Sequence, residues 1–399
     1  MKDIISKAKR FLQRNKRRII HVWQTMWAEK HYYTSLQSYV FECPNKAEIL
    51  SERTDRLVYA ENINNSVVLK QGGLWINRKV IIHNATVFPY SDIVLLEDGR
   101  CLYELKEIDG LHKITDYTDE ILIKDTNTWC KLKPCKETIH LAKAIKIGGM
   151  FGFNYFHYMF QLLPRMLETV DIDASAPILL DKKVMDVKNM QQLAEWCNRE
   201  KREAIYMDYD CAYEVDELYV ITSPNITIPN LKKGYSLYEP KSQFSPNVID
   251  KMSKLLLKYK DTQIKTPKRI YISRRKATKL RGYNEEELVE IAKKFGFNEV
   301  FPETMSVAEQ IALFNNAEAI VAPEGAALSN LLYIKPSCKV VIMYCMPGLT
   351  SEFGGIALLK DAEIFELYDI PNCKLGNSSY QRNYRIEPNK LKDVLEKII

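Results

Sequence analysis

No GxGxxG turn followed by an acidic residue about 20 positions on, and no GxxxxGK[ST] loop, occurs in the 399-residue chain. The common cradles for a dinucleotide and for ATP are therefore missing, and the run Gly148-Gly149-Met150-Phe151-Gly152 substitutes for neither. The nine cysteines make no CxxC pair and no Cys/His cluster at zinc spacing, which suits a reducing compartment and thiols used for packing. Long hydrophobic runs are absent too: nothing reaches the ~18 consecutive apolar residues of a spanning helix, and charges interrupt the N-terminal apolar positions too often for a secretory leader. Outside one segment there is also little net charge. Lys2, Lys7, Lys9, Arg10, Arg14, Lys16, Arg17 and Arg18 against Asp3 put +7 on the first 18 residues, so a chain total of +6 leaves −1 for the remainder. A phosphate-tracking nucleic-acid surface is not expected on such a body.

What is present begins with that basic segment. Ile4, Ile5, Ala8, Phe11, Leu12 and Ile19 share one face of a helical projection, the cations take the rest, and Trp23 and Trp27 follow. An amphipathic helix over residues 2–27 lying on an anionic membrane has this pattern, and so does a solvated or partner-docking helix. The expectation is a cytoplasmic protein held peripherally on the inner face of the membrane. The length exceeds the ~250 to 300 residues at which single cores stop growing, so two domains are expected after residues 1–30: one over 40–235 and one over 245–385. Residues 40–145 read as strand-rich, with turns at Gly72-Gly73, Asn84 and Asp98-Gly99. A helix follows Gly152, with Pro164 expected to end or kink it. APILLD, EAIYM and ELYVITS then read as strands of a second, smaller sheet, with a helix around Met190 to Asn198. A proline-rich hinge near 225–245 leads to the second domain, and a last helix over 386–399 is expected to pack back onto the first.

From Arg269 onward, short apolar runs (Arg269 to Ile272, Glu299 to Pro302, Ala319 to Ala322, Lys339 to Tyr344) alternate with helical periods, the pattern of a parallel sheet covered by helices. Ligands of such sheets sit at the carboxyl ends of the strands. There the chain places Ser273, Arg274, Arg275, Lys276, Lys279 and Arg281 on one side and Glu324, Gly325 and Ala326 on the other. Guanidinium forks fit phosphate oxygens, and a small-residue helix entrance offers backbone N–H groups to an anion. The same run also serves as an ordinary solvated face, and small residues also permit close helix packing. Asn284 with Glu287, and Ser306 with Glu309, have capping-box spacing. His157, near Asn154, Tyr155 and Tyr158, can accept a hydroxyl proton as a general base or sit as a satisfied core residue. The triplets Asp171 to Asp173 and Asp208 to Asp210 have a spacing that can hold a metal on a diphosphate but is common by chance.

The blocks NYFHYMFQLLPR (Asn154 to Arg165), ISRRKATKLRGYNEEEL, FPETMSVAEQIALF and PEGAALSNLL resemble, in order, the family 61 glycosyltransferases (DUF563), in their bacterial capsular polysaccharide branch; the likeness covers about residues 80 to 345. The resemblance implies an α/β, GT-B-like fold in which two Rossmann-like domains face each other across a cleft. It also implies inverting, metal-independent transfer from a nucleotide sugar, in particular a UDP-sugar, with no other cofactor. On this likeness His157 matches the motif histidine, Arg274 and Arg281 the basic positions, and Gly325, Ala326 and Asn330 a G-A-x-x-x-N signature. The chain departs from the pattern at Gln161, where an acidic residue is usual, and at Glu324, where histidine is usual.

The expected enzyme therefore has His157, with Glu324 as a second candidate, as the base. Arg274, Arg275, Lys279, Arg281, Glu303, Gly325, Ala326, Ser329 and Asn330 are expected on the donor, and Asn154, Tyr155 and Arg165 on a glycan or glycolipid acceptor. No metal site and no nucleic-acid partner are expected. A non-catalytic nucleotide-sugar or glycan binding protein on the same fold is the alternative.

Overall fold

The computed structural model describes residues 28–103, 119–227, 240, 242–277, 282–345, 350–368 and 383–399. The expected helix over 2–27, and the candidates Lys279 and Arg281, lie outside the described residues. The described part is α/β. Its first sheet is mixed and holds β1 (His31–Thr34), β2 (Ala47–Ile63), β3 (Ser66–Val87), β4 (Ile93–Leu95), β5 (Cys101–Tyr103), β6 (Leu122–Asp125), β7 (Trp129–Leu132), β8 (Glu137–Lys146), β9 (Ile178–Asp181), β10 (Ala204–Met207) and β11 (Cys211–Ile221). A two-stranded ladder joins β12 (Ile226–Thr227) to β13 (Ser242–Gln243). The last sheet contains β14 (Arg269–Ile272), β15 (Asn298–Val300), β16 (Ala319–Pro323), β17 (Lys339–Tyr344) and β18 (Glu363–Tyr368).

Two parallel regions position the candidate site. In the first sheet β10, β9, β8 and β11 are neighbours in that order and all parallel, so the chain turns back between β8 and β11. In the last sheet the order is β15-β14-β16-β17-β18, again all parallel, and the reversal falls between β14 and β16. At such a reversal the connections leave on opposite faces and open a crevice beyond the strands' carboxyl ends. The runs RIYI, AIVAP and KVVIMY form the middle strands because both of their faces are covered, so nearly every residue in them is buried. One cluster of buried side chains runs from Ile145 and Phe160 to Val321 and Ile342, and so joins the two regions.

Five sequence expectations change. The strands at 178–221 do not make a separate sheet, because β11 pairs with β8 on one side and with β3 on the other. Gly72 and Gly73 mark no turn: both oppose Leu57 in a register shift between Arg56 and Val58, so they form a bulge inside the 22-residue β3. The hairpin reverses instead at Asn64 and Asn65, both with positive φ, as a two-residue turn between β2 and β3 requires. Asn84, at φ 54°, lies within β3 rather than at a turn. The final helix, Pro388–Ile398, packs against the helix Glu285–Lys294 and β18, so it stays beside the last sheet. The Asn284–Glu287 box does not form around its N-cap because Asn284 exchanges hydrogen bonds with the backbone of Ile386, whereas the Ser306–Glu309 box is complete.

Pro164 does not end its helix. A proline at this position cannot donate to the carbonyl of Phe160, and the chain responds with a π turn over Tyr158–Leu162 between helical segments Tyr155–His157 and Leu163–Met166. The buried amide of Asn225 donates to the Phe160 carbonyl at 2.7 Å, while its oxygen accepts the Ser245 N–H at 2.9 Å. One side chain thus completes two elements that the proline and the helix start leave open. We predict that Asn225→Ala lowers stability by roughly 2 to 4 kcal/mol, because two buried backbone groups lose their partners. A urea midpoint unchanged from the parent would contradict this.

Candidate active site

On the β14 side, the turn carrying the cations is pinned from the next helix. Glu285 Oε1 accepts from the Ser273 hydroxyl at 2.8 Å and from the Arg274 backbone N–H at 2.7 Å. The half-buried Arg274 side chain then crosses the reversal point, and its Nη1 donates to the Glu324 carbonyl at 3.3 Å. A Cβ on residue 325 would collide with that guanidinium, so Gly325 is the residue that lets the arginine lie against the β16 exit. Its backbone is extended, so the requirement is one of space and not of φ. Gly325, Ala326 and Ala327 are half-buried, and a 3-10 helix, Ala326–Tyr333, follows. Arg275 is exposed with Nε 3.5 Å from Glu299, Lys276 lies over the Phe301 ring, and Glu303 is exposed on a 3-10 turn, Pro302–Thr304.

On the β8 side, Asn154 caps the helix start by accepting from the Phe156 N–H at 3.0 Å. His157 follows, half-buried, with Phe151 stacked on its ring at 4.7 Å and Phe156 edge-on at 5.4 Å. Its Nδ1 lies 2.5 Å from Gln161 Oε1 and 3.3 Å from the Thr227 hydroxyl. The Gln161 amide nitrogen donates to the Thr227 carbonyl, which turns the amide oxygen toward the ring. An amide oxygen only accepts, so Nδ1 carries the proton and the neutral imidazole keeps its lone pair on Nε2. Gln161, where an acidic residue was expected from the resemblance, thus orients the ring without adding charge.

The glycines before this helix have a different task from phosphate binding. Side chains at Gly149 and Gly152 would run into the carboxylates of Asp92 and Asp181, and one at Gly148 would press on Asp181. The loop lies directly on a buried charged group: Asp181 accepts the N–H groups of Tyr90 at 2.6 Å and Gly149 at 3.0 Å, and Lys146 donates to the carbonyls of Ser91 and Gly148, both at 2.8 Å. Arg165, 5% exposed, belongs to this group, with Nη1 3.7 Å from Asp92 and 3.5 Å from the Ile147 carbonyl. Burial pushes the Asp181 carboxyl up to about 6, against the backbone donors and Lys146, and pushes Asp119 up to about 7 with help from the nearby Asp92 charge.

The two sides touch through buried polar and aromatic pairs. Tyr155 donates its hydroxyl to Asn330 Oδ1 at 3.4 Å, Asn330 donates to Gln310 at 2.8 Å, and Phe156 meets Phe353 edge-on at 5.2 Å. His157 and Arg274 are therefore carried by elements that pack on one another, and Gly325 and Ala326 lie at the same junction. Ser329 and Asn330 are fully buried and face inward, Arg165 is the counter-ion beneath the glycine loop, and Glu324 is 7% exposed at the end of β16. Gln161 was noted only as a departure from the family pattern, whereas Glu285, Thr227 and Asn225 were not singled out as site partners, and no local spacing in the sequence points to them. In the acidic triplets Asp173 is held by Lys143, Asp208 by Lys182 and Asp210 by Lys136. No group of three potential metal ligands occurs among the described residues, and no helix among them is long and apolar enough to cross a membrane.

A cation held at the reversal point of a parallel sheet, with an imidazole of fixed tautomer on an element that packs against the same region, suits the transfer of a group from a phosphorylated donor. Comparison with protein families makes that class specific: residues 155–341 match the family described as Glycosyltransferase 61. That similarity supports a family 61 glycosyltransferase, and the chain is a glycosyltransferase enzyme. The match runs from the helix of His157 through Arg274 and Gly325 into β17. No curated protein matches the chain. A glycosyltransferase family implies a nucleotide-sugar donor and a glycan acceptor.

Two outcomes follow from this geometry. Asp119 and Asp181 keep their protons to a higher pH when folded than when unfolded, so the folded chain binds more protons between about pH 4 and about pH 7 and stability falls as pH rises through that window. Urea midpoints at about pH 5 and about pH 8 should differ less in Asp119→Asn than in the parent, and an equal difference would refute the assignment. For the imidazole, ¹⁵N NMR should show a protonated Nδ1 at neutral pH, and Gln161→Glu should move its titration to higher pH, since a carboxylate favours the imidazolium. A protonated Nε2 in the neutral ring would contradict the tautomer.

Proposed function

We propose that the enzyme transfers a sugar with inversion, and without a metal, from a nucleotide sugar such as a UDP-sugar to a lipid-linked or growing surface glycan. The observation that carries this reading is the Arg274 guanidinium lodged against Gly325 and the Glu324 carbonyl at the reversal of the last sheet. The donor's diphosphate lies along this guanidinium and the N–H groups at Gly325 and Ala326, and Arg275 adds long-range positive charge from its exposed position. Lys279 and Arg281, which follow in the same run, are assigned to the same diphosphate. Cationic side chains at that place neutralise the leaving group's charge, which is the task a metal would otherwise perform. The two parallel regions then act as the halves of a GT-B-like pair.

In the transfer, Nε2 of His157 removes the proton of an acceptor hydroxyl while its oxygen attacks the anomeric carbon from the face opposite the nucleotide. The new glycosidic bond forms as the bond from that carbon to the diphosphate breaks, and the nucleoside diphosphate leaves with the electron pair. Gln161 and Thr227 stabilise the Nδ1-protonated tautomer on which this depends. We assign Glu324 to donor selectivity, because its place beside Arg274 suits a contact to a sugar or ribose hydroxyl better than proton transfer. The basic helix over residues 2–27 brings the enzyme to a membrane-borne acceptor at the inner membrane face.

Titration calorimetry with UDP and a nucleotide-release assay over a panel of nucleotide sugars separate these roles. Arg274→Ala should weaken nucleotide binding roughly tenfold to a hundredfold, the effect of one charge-assisted contact. His157→Ala should bind the nucleotide as the parent does and lose about 10²–10⁴-fold in kcat. Undiminished turnover in His157→Ala, or undiminished affinity in Arg274→Ala, would overturn the respective assignment.

A further inference from the structure

An aromatic path leads from the surface to the proposed base. Phe151 stacks on His157 at 4.7 Å and keeps a left-handed backbone, φ 64°, which a bulky residue adopts only where its surroundings hold it there. Phe153 stands 6.3 Å from Phe151 and is 39% exposed, although it lies two residues along the same loop. The Lys183 ammonium covers one side of this ring at 4.9 Å and reaches Tyr90 at 5.1 Å. Tyr90 in turn holds the loop after β9 by accepting the Lys183 N–H at 2.8 Å, and its own backbone is left-handed at φ 56°. Beyond it Tyr209, 58% exposed, lies 6.0 Å from the Tyr90 ring.

The exposed rings of Phe153 and Tyr209 are therefore linked through Lys183 and Tyr90, and the series ends on the imidazole. An exposed phenyl ring beside an ammonium is a poor solvent-facing arrangement but a good partner for a pyranose. The C–H face of the sugar covers the ring, and the ammonium donates to its hydroxyls. The buried carboxylates beneath Gly149 and Gly152 leave the loop no room to sink inward, so Phe153 stays presented. We infer that Phe153, Phe151 and Lys183 form an acceptor subsite for a glycan of more than one sugar unit. The terminal unit stacks on Phe153 and points a hydroxyl at His157, and the preceding unit runs toward Tyr209. This rests on the assignment of His157 as the base, and it makes the acceptor an oligosaccharide chain rather than a single sugar or a bare lipid phosphate.

The test uses the full-length chain, labelled and applied to a printed array of surface-polysaccharide oligosaccharides graded from one to six units, with UDP titrated separately. Parent and His157→Ala should bind the same glycans, with trimers and longer chains above monomers. Phe153→Ala should lose roughly tenfold of that signal, Phe153→Trp should retain it, and both should bind UDP as the parent does. Full glycan binding by Phe153→Ala, equal binding of monomers and trimers, no glycan bound by the parent, or loss of UDP binding in Phe153→Ala would each overturn the subsite. Loss of turnover in His157→Ala together with full glycan binding by Phe153→Ala would leave the base assignment standing while the subsite falls, so the two ideas fail separately.

Discussion

The nucleotide side of the account depends on one side chain occupying the place of a missing Cβ. Arg274 leaves the end of β14 and can rest on the Glu324 carbonyl only because residue 325 is glycine. Glu285 holds the start of that turn through the Ser273 hydroxyl and the Arg274 N–H, so the backbone from which the guanidinium projects is fixed from a helix rather than left to the loop. The reversal of strand order supplies the crevice; the arginine and the glycine give it a charge and an opening. With a side chain at residue 325 the guanidinium tip would have to leave this position.

The base side is built by the same logic with different means. A loop of glycines lies on buried carboxylates, Pro164 forces a π turn, and Asn225 satisfies the carbonyl that the proline leaves open. The turn brings Gln161 onto His157, and Thr227 fixes the amide. Tyr155 and Phe156, in the same helical segment as His157, contact Asn330 and Phe353 of the other region. The β2–β3 hairpin adds a further tie, with Ala60 and Val67 against Gly354 and Asn62 bonded to Glu366 and Tyr368. Imidazole and guanidinium are thus referred to one another through packed side chains and not through flexible connections.

How much of this the sequence displays depends on whether the causes are local. β14, β16 and β17 are legible because strands covered on both faces are apolar throughout, and the Ser306–Glu309 cap is legible because its partners are three residues apart. The strand ends, and hence Arg274 and Gly325, follow from those runs. The Asn284 box fails because a distant backbone segment at Ile386 competes for the same amide. Gly72-Gly73 reads as a turn because a bulge and a turn share the same residue type, and only the partner strand distinguishes them. Asp92, Asp119 and Asp181 are remote in sequence and leave no pattern; Lys146, a lone cation ending the otherwise apolar close of β8, was the one local sign of a buried countercharge.

The most direct test of the central claim is a crystal structure of the chain with a nucleoside diphosphate bound. Phosphate oxygens are expected within about 3 Å of the Arg274 guanidinium, with the Gly325 and Ala326 N–H groups facing the same diphosphate. A diphosphate bound elsewhere, with Arg274 still resting on the Glu324 carbonyl, would contradict it.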